Sequence, residues 1–533
     1  MRPTAWLIHH LLEHAAEDRP DAPFLVHEGR THSYGEIDAA ANRLAHLLRR
    51  CGLRRGERAG LLAHNGAGYV VAYYGILKAG GVAVPLNTAA DGPTLRGMLS
   101  DCEARFLIAG PRFEQAVTDA IAALPDLDVL LVPDPGKIDP LPAHIEGVAL
   151  GEADGEASAP VDAGLIDLDL ASIIYTSGST GRPRGAALSH LNVMTNTRSI
   201  VSYLGLGPDD RVLQVLPFYY VYGKSLLNTH AAVGGTVVIE NRFMFPNTAL
   251  DTLEQERCTG LSGVPSTFAI LLNRSNFTER RLEHLRYVTQ AGGGMSPELT
   301  RRLIAALPGR RIYVMYGATE ASARLSYLDP EVLPSKIGSI GRAIPNVRLR
   351  VLREDGSEAG PGETGELVAS GANIMRGYWN DADETARVLD EHGYWTGDLA
   401  RRDEDGFLWI VGRKKDMIKA GAHRISAKEI EDVILEHPEV HEAAVIGVPH
   451  ELLGETIHAC VVFRDPAPSP EADPRADELR AFLKRRLPAF KRPEKIDVRL
   501  DLPKNESGKI MKQVLREQAQ ATTATESPDA PRS

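Results

Sequence analysis

The N-terminal third of the chain alternates segments of helical period with short apolar runs, and this alternation most restricts the fold. Tyr34 to Arg50 carries Ile37, Ala40, Ala41, Leu44, Leu47 and Leu48 at helical spacing. RAGLLAHN (58–65) reads as a strand, AGYVVAYYGILKAG (67–80) as a mostly apolar helix, and GGVAVPLN (80–87) as a buried strand closing at Pro85. Helix and strand in repeated succession argue for α/β layers. At 533 residues the chain exceeds one ordinary core, so at least two domains are expected.

A second pattern begins after the apolar run FLWIVG (407–412), which ends in the charge cluster Arg413-Lys414-Lys415-Asp416. Beyond it the sequence predicts a helix over 427–436, strands over 442–448 and 457–463, and a helix over 478–487. That suffices for a small α+β unit, with a Pro-rich acidic loop at 465–475. The fold class read from these signals is α/β. A large multi-layer N-terminal domain with β-sheets packed against helices (1–414) is followed by a small α+β domain (415–516) and a disordered tail (517–533).

Hydrophobic residues make up 43% and charged residues 25%, as in a soluble globular protein. A net charge of −11 argues against nonspecific nucleic-acid binding. The cysteines, Cys51, Cys102, Cys258 and Cys460, are scattered without a CxxC pair, so neither a zinc site nor a thioredoxin-like motif is indicated. No uninterrupted apolar stretch is long enough to span a bilayer, and the N-terminus lacks a secretory pattern. A reducing cytoplasmic setting is expected.

Chemistry concentrates first in Ile174 to Gly185, IYTSGSTGRPRG. Three glycines, five hydroxyl side chains and two arginines follow a short apolar run. Glycine lets backbone N–H groups approach phosphate oxygens. Hydroxyls and guanidiniums add further donors. The segment lacks the Gly-Lys-Ser/Thr ending of a Walker A loop.

This segment resembles the phosphate loop of AMP-forming, adenylate-forming enzymes: acyl-CoA synthetases, peptide-synthetase adenylation domains and luciferases. Arg184 stands where those proteins usually have lysine, which keeps the charge and changes its geometry. Further segments resemble the same superfamily in the same order, from about residue 10 to residue 513. They are LKAGGVAVPL (77–86), Tyr316-Gly317-Ala318-Thr319-Glu320, Tyr394 to Asp398, Gly412-Arg413, and Pro503 to Ile510. Taken singly, Glu320 and Asp398 read as solvated carboxylates, Tyr316 as a core aromatic and Lys509 as an exposed turn residue. The ordered set carries the resemblance.

The resemblance implies ATP, Mg²⁺ and CoA, or the phosphopantetheine of a separate carrier protein, as cofactors. It places Thr176, Ser177, Gly178, Ser179, Thr180, Gly181, Arg184, Gly292, Gly293, Tyr316, Gly317, Ala318, Thr319, Asp398 and Arg413 at the nucleotide. Lys509, Thr319 and Glu320 are the implied catalytic residues. Glu320 binds the metal, Asp398 accepts the ribose hydroxyls and Lys509 bridges the attacking carboxylate and the nucleotide. Such chemistry is mostly positioning plus placed cations. Lys415 falls at the superfamily's hinge, where the small domain rotates between adenylation and thiol transfer. The loop 419–423 would then reach the site.

The resemblance also implies an acid pocket of Tyr219, Tyr220, Gly223, Val264, Gly294 and Met315. Amino-acid-activating relatives place an aspartate in the first segment, where this chain has Phe218, Tyr219 and Tyr220. An α-ammonium would be buried there without a counter-charge, so an aryl or acyl acid is expected rather than an α-amino acid. Tyr219, Tyr220 and Tyr222 fit an aromatic wall with polar tips, or equally core packing. Three alternatives stay open: loading of a separate carrier protein, adenylation of a non-carboxylate oxyanion, and luciferase-like oxygenation. A Rossmann oxidoreductase fits poorly, because AGGGMSPE lacks the third glycine of the dinucleotide fingerprint. A condensing acyltransferase is disfavoured, because His9-His10 is not followed by aspartate.

Overall fold

The computed structural model describes residues 5–176, 183–420, 423–450, 454–465, 473–504 and 510–526. The expected loop 465–475 therefore falls mostly outside the described residues.

The helix over Tyr34–Arg50 forms as its spacing predicts. Ser33 and Glu36 close a capping box at its start, satisfying two backbone donors that a helix end leaves free. Its buried stripe, Ile37, Ala41, Leu44 and Leu48, packs against the apolar helix Ala67–Lys78, and Gly75 there meets Leu44. The strands Arg58–Leu62 and Val82–Pro85 pair in parallel and are buried along almost their whole length. A parallel strand covered on both faces needs such a continuous apolar run.

Two large sheets result. One has eight strands. It includes Leu170–Thr176 and, antiparallel to it, Arg184–Ser189. The other has nine, with Arg211–Gln214, Gly260–Gly263, Tyr287–Gln290 and Arg311–Tyr316 running parallel side by side. A third, five-stranded antiparallel sheet is built from strands between Val347 and Arg413. Each sheet is packed against helices or against its neighbour through apolar clusters.

At Lys414–Asp416 the chain makes one tight turn and enters a fourth sheet. That sheet comprises Met417–Ala420, His423–Ser426, Val440–His450, Gly454–Phe463 and Lys495–Val498. The helices Ala427–Ile434 and Arg475–Arg486 cover it around a separate core that includes Ile430, Val445, Val461 and Leu483. The α/β class and the large-plus-small arrangement are as the sequence predicts.

One expectation is corrected. A disordered tail is expected from residue 517, yet the last helix runs Lys512–Glu526; the rest of the expected tail, 527–533, lies outside the described residues. Leu515 is fully buried against the fourth sheet, and Arg516 Nη2 reaches Asp416 Oδ1 at 3.0 Å. The helix is anchored at its start, so its Ala/Thr/Gln-rich continuation extends an existing nucleus rather than founding one.

Candidate active site

Four parallel strands of the nine-stranded sheet end along one edge, and each is followed by a segment that the sequence singles out. Gln214 leads to 217–223, Gly263 to Val264, Gln290 to 291–294, and Tyr316 to 317–320. The register sets Gly263, Gln290 and Val314 level with one another. The carboxyl ends of parallel strands are where open α/β sheets bind ligands.

Tyr316 closes its strand and donates its hydroxyl to Asp398 Oδ2 at 2.7 Å. Asp398 lies on the third sheet, directly opposite Arg413 in an antiparallel pair, and its Oδ1 is 3.0 Å from Arg413 Nε. The carboxylate is buried, while Arg413 keeps 44% of its side chain exposed. Burial and the facing Asp398 charge push the Tyr316 phenol well above its ordinary value, so it remains a hydrogen-bond donor. Beneath this trio Glu366 accepts from Gly397 N–H at 3.1 Å and from Lys414 Nζ at 2.9 Å. Sequence reasoning missed Glu366, a buried acid within the strand Thr364–Gly371.

Gly317 follows Tyr316. A β-carbon there would stand 1.9 Å from Ala323 O, so the chain passes this point only as glycine. Thr319–Ala321 form a single tight turn, and Ser322 and Ala323 then adopt φ of 56° and 117°. Non-glycine residues in this region are strained. Asn196 and Asn373 hold the turn by donating to the carbonyls of Ala321 and Arg324.

Glu320 is half-buried and accepts the Tyr378 hydroxyl on Oε1 at 2.7 Å. Burial, then the Glu320 charge, push the Tyr378 phenol up. A carboxylate oxygen is the hard donor type that Mg²⁺ takes, and the bond from Tyr378 engages Glu320 through Oε1. Tyr378 was not picked out from the sequence, where GYWN carries no distinctive signal.

Thr176 ends its strand opposite Arg184. Arg184 Nη1 is 2.8 Å from Glu384 Oε1, and its guanidinium lies 5.9 Å from the Tyr378 ring centroid. Ser177, Gly178, Ser179, Thr180, Gly181 and Lys509 lie outside the described residues. Gly292, Gly293 and Gly294 form an exposed turn, with Gln290 Nε2 donating to Gly293 O at 2.8 Å. Lys428 of the small unit brings its Cε within 3.3 Å of where a Gly294 side chain would begin.

Among the residues expected to line an acid pocket, Tyr219 and Tyr220 place their rings 4.5 Å apart at the start of the helix Val221–Val233. Tyr222 is buried, and its hydroxyl bonds Thr289 at 2.9 Å. Gly223 is required by close approach, because a β-carbon would meet Pro217 O at 2.1 Å. Val264 is half-buried, and Met315 is buried beside Tyr203. Lys415 sits within the turn Lys414–Asp416 that joins the third and fourth sheets. The one metal-capable His/carboxylate group among the described residues is His9, His10 and Glu13, on the N-terminal helix, and there Glu13 is already paired with Lys78 at 2.6 Å.

Strand ends that meet a buried carboxylate, a tyrosine and an arginine across an adjoining sheet accord with an enzyme of the adenylate-forming class, the class the comparisons show. The chain belongs to the AMP-binding enzyme family, which it matches over residues 12–379, with the AMP-binding enzyme C-terminal domain matched over 429–509. It is 34% identical over 498 residues to a feruloyl-CoA synthase of an Amycolatopsis species, covering 93% of this chain and 96% of that protein. It is 33% identical over 488 residues to an indoleacetate–CoA ligase of Aromatoleum aromaticum, covering 91% and 92%. Its fold is similar to the crystal structure of an anthranilate CoA ligase in complex with anthranoyl-AMP, with a TM-score of 0.89, 25% identity, and 98% and 99% of the two chains covered.

Proposed function

We propose that this chain is an AMP-forming acid–CoA ligase acting on an aryl or acyl carboxylic acid. The observation that carries the reading is the joining of Tyr316, Asp398 and Arg413 across two sheets at the strand ends. The names of the relatives, all CoA ligases, support CoA over a carrier protein as the acceptor.

In the first half-reaction a carboxylate oxygen of the acid bonds to the α-phosphorus of ATP. The bond to the bridging oxygen breaks and pyrophosphate leaves. Asp398 accepts the ribose hydroxyls, Tyr316 lies against the base and Arg413 sets the Asp398 carboxylate in place. The phosphate loop 176–181, with Arg184, surrounds the phosphates. Glu320 would hold Mg²⁺, which would offset charge on the phosphate oxygens, and Thr319 contacts the α-phosphate. Lys509 stabilises the charge that develops between acid and nucleotide. In the second half-reaction the CoA sulfur bonds to the acyl carbon and AMP leaves. Lys415 is the hinge for the movement between the two, with 1–414 and 415–516 as the moving bodies.

ATP–pyrophosphate exchange, measured without thiol across aryl, short-chain, long-chain and amino acids, tests the reading. Exchange with aryl or acyl acids and AMP release on adding CoA are expected. Lys509→Ala should lose exchange by about two orders of magnitude or more while still converting supplied acyl-adenylate to thioester. Equal loss in both half-reactions contradicts the role given to Lys509. Absence of exchange with every acid overturns the ligase reading.

A further inference from the structure

Arg324 is 2% exposed and stands four residues beyond Glu320, directly after the strained turn at Ser322 and Ala323. Asn196 and Asn373 fix its carbonyl at 2.8 and 3.0 Å, so the backbone has little freedom to withdraw the side chain. The guanidinium carbon lies 4.0 Å from the Tyr222 ring centroid. Nε donates to Met315 Sδ at 3.4 Å, and Nη1 donates to Ala323 O at 3.0 Å. Tyr203, whose hydroxyl donates to Met315 Sδ at 3.0 Å, is a further polar neighbour.

Every one of these partners is neutral: a thioether, a carbonyl, a phenol and an aromatic face. Among the described residues no carboxylate lies within ion-pair distance of Arg324. Arg286, by contrast, also packs over a tyrosine ring but holds Asp210 at 2.6 Å. Arginine cannot shed its proton to escape burial. A ring face offsets only part of the lost hydration. The fold thus holds a permanent, uncompensated cation in place through a strained turn clamped by two asparagines.

Met315 and Tyr222 connect this cation to the acid side of the site, on the strand Arg311–Tyr316 and the helix Val221–Val233. We propose that Arg324 is the specificity-determining residue for an acid bearing a second, distal carboxylate, which supplies the missing counter-charge; this rests on the acid–CoA ligase reading above. The carboxylate to be activated faces the nucleotide, and the second one pairs with the guanidinium, whose fork suits bidentate binding.

The test measures CoA-thioester formation with aliphatic α,ω-diacids of three to nine carbons and with benzenedicarboxylic acids, each beside its half-methyl ester. At least one diacid should exceed its half-ester by about tenfold or more in kcat/KM, the discrimination expected when a buried charge is left unpaired. Arg324→Met should erase or invert that ratio and retain pyrophosphate exchange with the half-ester. Arg324→Lys should keep part of the preference. Equal turnover of every diacid and its half-ester by the native enzyme overturns the proposal, and this comparison stands even if the variants fail to fold. Equal loss on both substrates in folded Arg324→Met also overturns it. Thioester formed from monoacids alone sinks this inference and leaves the ligase reading intact, whereas no thioester from any acid sinks both.

Discussion

The side of the site we assign to the nucleotide and the side we assign to the acid treat charge in opposite ways. On the nucleotide side Asp398 meets Arg413 and Tyr316, Glu366 meets Lys414, Glu320 meets Tyr378, and Arg184 meets Glu384. On the side assigned to the acid, two buried cations have no carboxylate partner among the described residues. Arg324 is one. Lys224 is the other, with Nζ buried and unbonded, 4.5 Å from the Tyr73 ring centroid and 5.7 Å from that of Tyr69. The contrast teaches where the fold holds binding groups in a balanced arrangement and where it leaves charge unbalanced. Paired groups keep their geometry before ligand arrives, which suits a nucleotide whose charge is always the same. Unpaired cations destabilise the free protein, and a ligand or a mutation can relieve them.

The comparison breaks most severely at Gly317. Gly317→Ala sets a β-carbon against Ala323 O and forces the Glu320 turn apart. A stability loss beyond about 4 kcal/mol, or failure to express folded protein, is expected. Urea unfolding with near-native stability would show that the turn has room to move.

Lys224→Met removes an unbalanced charge and should stabilise the chain. Burial pulls the folded ammonium from its ordinary 10.5 to about 7. Between those values the unfolded chain binds the extra proton, so stability rises with pH there, and at or below pH 7 nearly the whole penalty is present. The native protein should gain stability from pH 7 to 10 through this group. The Met variant should therefore exceed it by on the order of 4 kcal/mol at pH 7, with the gain shrinking toward pH 10. A gain equal at both pH values in paired thermal melts would assign it to packing instead.

Asp398→Asn leaves shape and removes the charge that Arg413 and Tyr316 share. Pyrophosphate exchange should fall about 100-fold in kcat/KM for ATP, equivalent to ~2.7 kcal/mol, with smaller change for the acid. A loss confined to the acid's KM would move Asp398 to the other side of the comparison.

Local order was legible wherever one short signal decides it. The helix Tyr34–Arg50 follows from its apolar stripe and the Ser33–Glu36 cap, and the buried strands from their unbroken apolar runs. The segments 316–320 and 394–398 were visible as motifs because their residue types are rare together. Arg324 was not, since a lone arginine in ASARLS looks like any surface charge until its burial is seen. Gly223 is a milder case. It was expected among the residues lining the acid pocket, and the structure adds a backbone reason for it, the nearby Pro217 carbonyl.

Sequence by itself determined the α/β class, the adenylate-forming family and the candidate residues of the cleft, because periodicity and motif composition are local properties. Only the tertiary structure decided which charges are balanced. Tyr316, Asp398 and Arg413 meet through strand register and the packing of one sheet on another. Arg324 has no carboxylate partner among the described residues, and two asparagines, distant in sequence on either side, hold it there through a strained turn. Charge compensation depends on distances between segments far apart in the chain, and no local pattern records those distances.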